Sequence, residues 1–96
     1  MRRILRPALV ADIREAHSWY EGERPGLGEE FLTEIDRSMD LAEKHPKMYP
    51  VILRDTRRVL VRRFPYGLFY RLVDDAIVFV ACYHLRRDPE LWKDRR

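Results

Sequence analysis

The residues Tyr83-His84-Leu85-Arg86-Arg87 close a long apolar run and set the only histidine of the C-terminal half within three positions of two guanidinium groups. An imidazole titrates near neutral pH, and adjacent cations favour its neutral, proton-accepting form, so His84 with Arg86 is a candidate acid/base pair. The alternative is that His84 anchors the C-terminal segment. Upstream, Arg54, Arg57, Arg58, Arg62 and Arg63 are spaced through a second apolar stretch. Guanidinium groups alternating along a strand are held at fixed spacing and raise the local potential, which suits contacts to phosphate or carboxylate. A merely solvated strand face is the competing reading. Only Lys44, Lys47 and Lys93 are lysines among the 19 cationic residues, a bias toward planar, bidentate contacts, although a GC-rich coding sequence also enriches arginine.

Other groups carry less chemistry. Tyr66, Phe69, Tyr70 and Phe79 could stack nucleobases, but they fall inside strands whose covered face must be filled, which favours core packing. His17 and His45 read as ordinary helix residues. Cys82 lies in Ile77-Val78-Phe79-Val80-Ala81-Cys82 and reads as a buried small hydrophobe. One cysteine and three scattered histidines provide neither a disulfide nor a zinc set, so no metal and no cofactor is expected.

These residues need elements to position them. Arg2 to Arg6 predicts a short edge strand ended by Pro7. Leu9, Ile13, Ala16 and Tyr20 form one stripe of an amphipathic helix, with Asp12, Arg14, Glu15 and Glu21 on the wet side. Gly22 and Arg24-Pro25-Gly26-Leu27-Gly28 break it. A second helix, 28–44, carries Phe31, Ile35, Met39 and Ala42 on one face, and His45-Pro46 ends it. The two helices are expected to pair antiparallel and to cover one face of a sheet built from the C-terminal half. Four strands are predicted at 49–53, 57–64, 67–73 and 76–84, with Asp74-Asp75 as a two-residue hairpin turn and Pro65-Tyr66 as a tight connection. Alternation over 57–64 sends Val59 and Val61 one way and Arg58, Leu60, Arg62 and Phe64 the other, giving a helix-covered face and a cationic face. Asp88 and Pro89 are expected to cap a short last helix. The fold class is therefore α+β, two N-terminal helices on a twisted antiparallel sheet.

Length and composition agree with one small domain over 1–96, since 96 residues with 46% apolar and 36% charged side chains allow one modest core. No run approaches the roughly 18 apolar residues of a membrane span, and the basic start Met1-Arg2-Arg3 leads into no signal peptide, so a cytoplasmic location is expected. Charge is uneven. Residues 1–48 hold eight Lys/Arg against ten Asp/Glu, and residues 49–96 hold eleven against six; −2 and +5 sum to the net charge of +3.

Trp19-Tyr20-Glu21, Arg24-Pro25-Gly26-Leu27-Gly28 with Phe31, Arg57-Arg58, Arg63-Phe64-Pro65-Tyr66, Tyr70-Arg71 and His84-x-Arg86-Arg87-Asp88-Pro89-x-x-Trp92 occur in this order. In their order and spacing they resemble the RelE/ParE toxin superfamily, in the branch called plasmid-stabilisation proteins. The resemblance implies two helices packed on an antiparallel sheet. It also implies a toxin encoded beside an antitoxin, a hetero-oligomer of the two, and growth arrest when the antitoxin is lost.

Two mechanisms divide that superfamily. RelE-like members cut mRNA on the ribosome, whereas ParE-like members inhibit DNA gyrase without being nucleases. Cleavage through a 2′-hydroxyl needs an acid, a base and cations around the phosphorane. By resemblance, Arg58 and Arg62 would fill the strand positions of a RelE-like site, Arg86 the post-strand position and His84 the acid/base role. Gly67, however, stands where such nucleases carry an arginine, and Trp92 stands where they carry a tyrosine. An indole exchanges no proton at neutral pH. The ParE-like reading is therefore preferred, with Arg57, Arg58, Arg62, Arg63, Arg87 and Trp92 as target-binding residues. Trp92 has a second reading, as a staple holding the tail on the core. The implied antitoxin should be acidic and amphipathic, seated between the helices and a sheet edge, and the exposed edge strand 2–6 invites strand addition by it.

Overall fold

Pro7 stops one element and begins the next, because its ring fixes φ and it has no N–H to lose at the first position of a helix. The computed structural model describes residues 1–87, 90 and 92–96. In chain order it contains β1 (Arg2–Leu5), α1 (Pro7–Glu23), α2 (Leu27–Lys44), β2 (Val51–Leu53), β3 (Thr56–Leu60), β4 (Tyr66–Val73) and β5 (Ala76–His84). The expected cap at Asp88 and Pro89 lies outside the described residues.

In α1, Leu9 and Ala16 are buried and Ile13 and Tyr20 pack against the same core, as their spacing requires. The helix does not break at Gly22 but continues to Glu23. An exposed glycine inside a helix costs only about 1 kcal/mol relative to alanine, which packing of the stripe outweighs. The stop comes from Pro25, which drives Arg24 into extended backbone at φ −159°. Gly26 then takes φ +88°, the left-handed conformation that turns the chain into α2. Gly26 has no side chain with which to cap α2. The Glu21 carboxylate does so, accepting the N–H groups of Gly26 and Gly28 at 3.0 and 2.9 Å. Those two backbone donors hold its pKa below the ordinary carboxylate range. Phe31, Ile35, Met39 and Ala42 all point inward, the three larger side chains each contributing about 1.5–3 kcal/mol by burial and the Ala42 methyl under about 1 kcal/mol.

The strands form one five-stranded sheet in the order β1-β5-β4-β3-β2. β2 to β5 are antiparallel neighbours, and Asp74-Asp75 makes the β4–β5 turn with Asp74 at φ 54°. β1 departs from the antiparallel expectation: it lies parallel to β5, with Arg2 opposite Ala76 and Leu5 opposite Phe79, so the sheet is mixed. No hairpin joins these two strands. The rest of the chain connects them, and a connection of that length permits either direction. β3 ends at Leu60 rather than at residue 64. Arg63 sits at φ 70°, which breaks the alternation, so Phe64 enters the helix-side core at 7% exposure instead of joining the cationic face. A bulge leaves Val80 as an extra residue on β5, between the pairs Phe69–Ala81 and Tyr70–Phe79.

Both faces of the sheet are covered. The helices bury Leu68, Tyr70, Ile77, Phe79 and Cys82, while Trp92 from the C-terminal segment packs over Phe69, Val78, Val80 and Ala81 on the other side. Among the described residues, no helix is long and apolar enough to cross a membrane.

Candidate functional site

α1 and the end of β5 diverge, leaving a groove of about 890 Å³. Glu15, Ser18 and Trp19 form its helical wall; Tyr66, Tyr83 and His84 form its sheet wall, and Arg86 and Arg87 stand at its rim. Trp19 is 61% exposed and braced edge-on against Tyr20 at 5.2 Å. Tyr20 in turn meets Phe31, Phe64 and Tyr66 at ring distances of 4.9–6.1 Å. The wall is thus rigid, with an indole offered to solvent. Burial pushes the Tyr66 hydroxyl up to about 12, so it stays a neutral donor. Burial also pushes the Cys82 thiol well above its ordinary value, which removes it as a nucleophile.

His84 stands edge-on to Tyr66 at 5.4 Å, and its Nδ1 accepts the backbone N–H of Arg86 at 3.1 Å. That bond assigns the proton of the neutral ring to Nε2. The lone pair that a general base needs is spent on holding the turn after β5. Arg86 is exposed and forms no ion pair among the described residues. Arg87 crosses the groove to Glu15 at 3.5 Å and lies over the Tyr83 ring at 5.5 Å. The structure therefore gathers His84, Arg86 and Arg87 at one site.

The arginines of 57–63 do not line up with them as one cationic wall, and that expectation is corrected. Arg57 donates to the carbonyls of Lys47 and Tyr49, tying down the loop before β2. Arg63 leaves the sheet and pairs with Glu30 at 2.7 Å; this bond, ahead of the one from Arg24, holds Glu30 below the ordinary carboxylate range. Arg71 pairs with Asp55 at 3.0 Å. Of these, the Arg63–Glu30 pair joins the basic second half to the acidic first half, whereas Arg71 and Asp55 are partners within the second half. Arg58 and Arg62 keep no ion-pair partner among the described residues. Arg62 lines a smaller cleft of about 320 Å³ against α2, together with Arg37, Leu41 and Lys44.

Trp92 is not presented to solvent. It is 6% exposed and stacked on Phe69 at 4.0 Å, which makes it the staple of the C-terminal segment. Tyr70, Phe69 and Phe79 are likewise core residues. Two contributors escaped the sequence reading. Trp19 had a usable signal, as an aromatic lying off the apolar stripe of α1. Asp12 had none: placed on the wet side by periodicity, it is nearly buried and binds Arg95 and the Cys82 N–H. Among the described residues no group of His, Cys, Asp or Glu is arranged to hold a metal.

The comparisons with known proteins point one way. No curated protein sequence matches the chain. A solved structure of the chromosomal ParDE TA system from P. aeruginosa shares its fold, with a TM-score of 0.78 over 88% of this chain and 95% of that one. At 14% identity that likeness bears on the fold alone. The family described as ParE toxin of type II toxin-antitoxin system, parDE, matches residues 3–89, a span that runs from β1 through the groove arginines, and the chain belongs to that family.

Proposed function

We propose that the chain arrests growth by binding DNA gyrase through the groove between α1 and the end of β5, without cutting RNA, and that a cognate antitoxin neutralises it in the cytoplasm. The observation that carries this reading is His84 Nδ1, engaged by the Arg86 N–H at 3.1 Å. With Nδ1 engaged in that bond the imidazole faces the groove with its Nε2–H, the donor side, and Gly67 and Trp92 supply no substitute base. Exposed Trp19 with Arg86 and Arg87 suits a protein surface, since tryptophan and arginine dominate binding energy at interfaces. The antitoxin's seat is the cleft between α2 and the end of β3, where Leu41 is 45% exposed beside Arg37, Lys44 and Arg62. Glu34 and Asp40 also line the cleft, and Glu34 already pairs with Arg37, so an acidic, amphipathic partner that folds on binding would meet Lys44 and Arg62 with its carboxylates and Leu41 and Leu60 with its apolar side chains.

The test is induction of the chain without its antitoxin, followed by mapping of mRNA ends and assay of plasmid supercoiling. Loss of gyrase supercoiling with intact mRNA is expected, in the parent chain and in any toxic His84→Ala variant alike. Cleavage at ribosomal A-site codons that His84→Ala abolishes would replace this reading with a RelE-like ribonuclease.

A further inference from the structure

The cleft between α2 and the end of β3 is lined by a carboxylate that is only half used. Glu34 is 4% exposed. Its Oε2 meets Arg37 at 3.3 Å and Arg63 at 3.9 Å, whereas its Oε1 is buried without a hydrogen bond. The Ser38 hydroxyl, one turn further along α2, does not serve it, because that hydroxyl donates to the Glu34 carbonyl at 2.9 Å. A buried acceptor that has lost water and gained no donor is costly, and an N–H that reaches it removes the cost.

The rest of the lining identifies the donor. Asp40 is taken by Arg3 at 2.7 Å and Arg37 by Glu34, which leaves Lys44 and Arg62 as the cations of the cleft with no ion pair among the described residues. A metal ion does not suit this setting. It would find one free carboxylate oxygen beside three cations, and among the described residues no group of His, Cys, Asp or Glu is arranged to hold it. A molecule with an ammonium at one end and a carboxylate at the other satisfies both signs of charge, the first on Glu34 Oε1 and the second on Arg62 and Lys44. Leu41 and Leu60, both exposed, supply the apolar part of the lining. The volume of about 320 Å³ is at the small end for ligand sites, which suits a single amino acid.

We propose that this cleft binds a small apolar α-amino acid as its zwitterion, with Glu34 accepting from the ammonium and Arg62 with Lys44 holding the carboxylate. Such a ligand would compete with an antitoxin seated in the same cleft. The inference does not rest on that seat: it is read on the chain alone with a small molecule, so its failure leaves the antitoxin and gyrase readings standing.

The experiment titrates the isotopically labelled full chain with L-leucine, with N-acetyl-leucine, which lacks the ammonium, and with leucinamide, which lacks the carboxylate, following backbone amides by NMR. Leucine should move Leu41, Lys44, Leu60 and Arg62 and bind at least about tenfold more tightly than either derivative, as loss of one charge-assisted hydrogen bond warrants. Glu34→Gln should erase the preference over N-acetyl-leucine, and Arg62→Gln should cut the preference over leucinamide. Arg62 is exposed, so its substitution keeps the test decisive even where Glu34→Gln impairs folding. Absence of shifts at roughly 20 mM leucine, N-acetyl-leucine binding as tightly as leucine, or preferences that survive the substitutions would each overturn the proposal. Leucinamide binding as tightly as leucine would overturn it too, in favour of a peptide N-terminus.

Discussion

Asp12 shows how a surface carboxylate by pattern becomes a structural one by position. β1 ends opposite Phe79, so beyond that point β5 has no strand on that side, and the Asp12 carboxylate takes the Cys82 N–H at 3.0 Å. The same carboxylate forks onto Arg95, whose guanidinium also donates to Tyr83 Oη at 2.8 Å and lies over its ring. One side chain thus closes a gap in the ladder and fastens the C-terminal segment to α1. Asp12→Ala should destabilise the protein by about 1–2 kcal/mol, read as a lower urea midpoint at unchanged slope, because it leaves the Cys82 N–H without its acceptor and Arg95 with only Tyr83 and the Val80 carbonyl. Asp12→Asn keeps one acceptor and should cost less. A change under about 0.5 kcal/mol would mean that water replaces the carboxylate.

At the scale of elements, the helical hairpin is held by a contact set that alternation does not describe. α1 and α2 meet where Gly28 lies beneath His17 and Glu21; a Cβ there would stand 2.7 and 2.8 Å from the imidazole and 2.9 Å from Glu21 Oε1. The close approach lets Glu21 cap α2 from the end of α1. Gly28→Ala should therefore cost about 1–3 kcal/mol and loosen the cap together with the packing, visible as faster amide exchange at Gly28 and Glu29. Gly22→Ala has open space around it and should stabilise slightly by helix propensity. If both substitutions stabilised, the tight approach of the helices would be wrong.

Across the whole molecule, charge is arranged as pairs between distant segments. Arg3 of β1 binds Glu43 and Asp40 of α2, both at 2.7 Å, and Arg63 and Arg87 reach back to Glu30 and Glu15. Arg3 holds Glu43, and Arg71 holds Asp55, below their ordinary values of 4.5 and 3.8. A depressed folded-state value means that the unfolded chain binds protons first as the solution is acidified. The stabilisation is therefore complete above about pH 4.5 and is lost as pH falls through the lower folded values. Urea midpoints should be flat from neutral pH to about 5 and then drop toward pH 3, with a smaller drop in Arg3→Gln. A midpoint that rises on acidification would contradict these pairings. Most of these pairs are partly exposed, so added salt should shrink the effect.

The local part of this protein was legible because periodicity is a local property. The stripes Leu9-Ile13-Ala16-Tyr20 and Phe31-Ile35-Met39-Ala42, the Asp74-Asp75 turn and the extent of β5 each follow from neighbours within a few positions. The motif order supported the family as well. What alternation could not decide was where strands stop and what their side chains meet. Arg63 at φ 70° shifts parity and moves Phe64 into the core, and the extra residue Val80 shifts it within β5. The parallel pairing of β1, the burial of Trp92 on Phe69 and the capture of arginines by carboxylates tens of residues away depend on contacts between remote segments. The sequence determined which cations exist and which elements carry them. Only the tertiary structure decided which remain open, because an ion pair depends on distance in space and the chain brings its acidic and basic halves together only on folding.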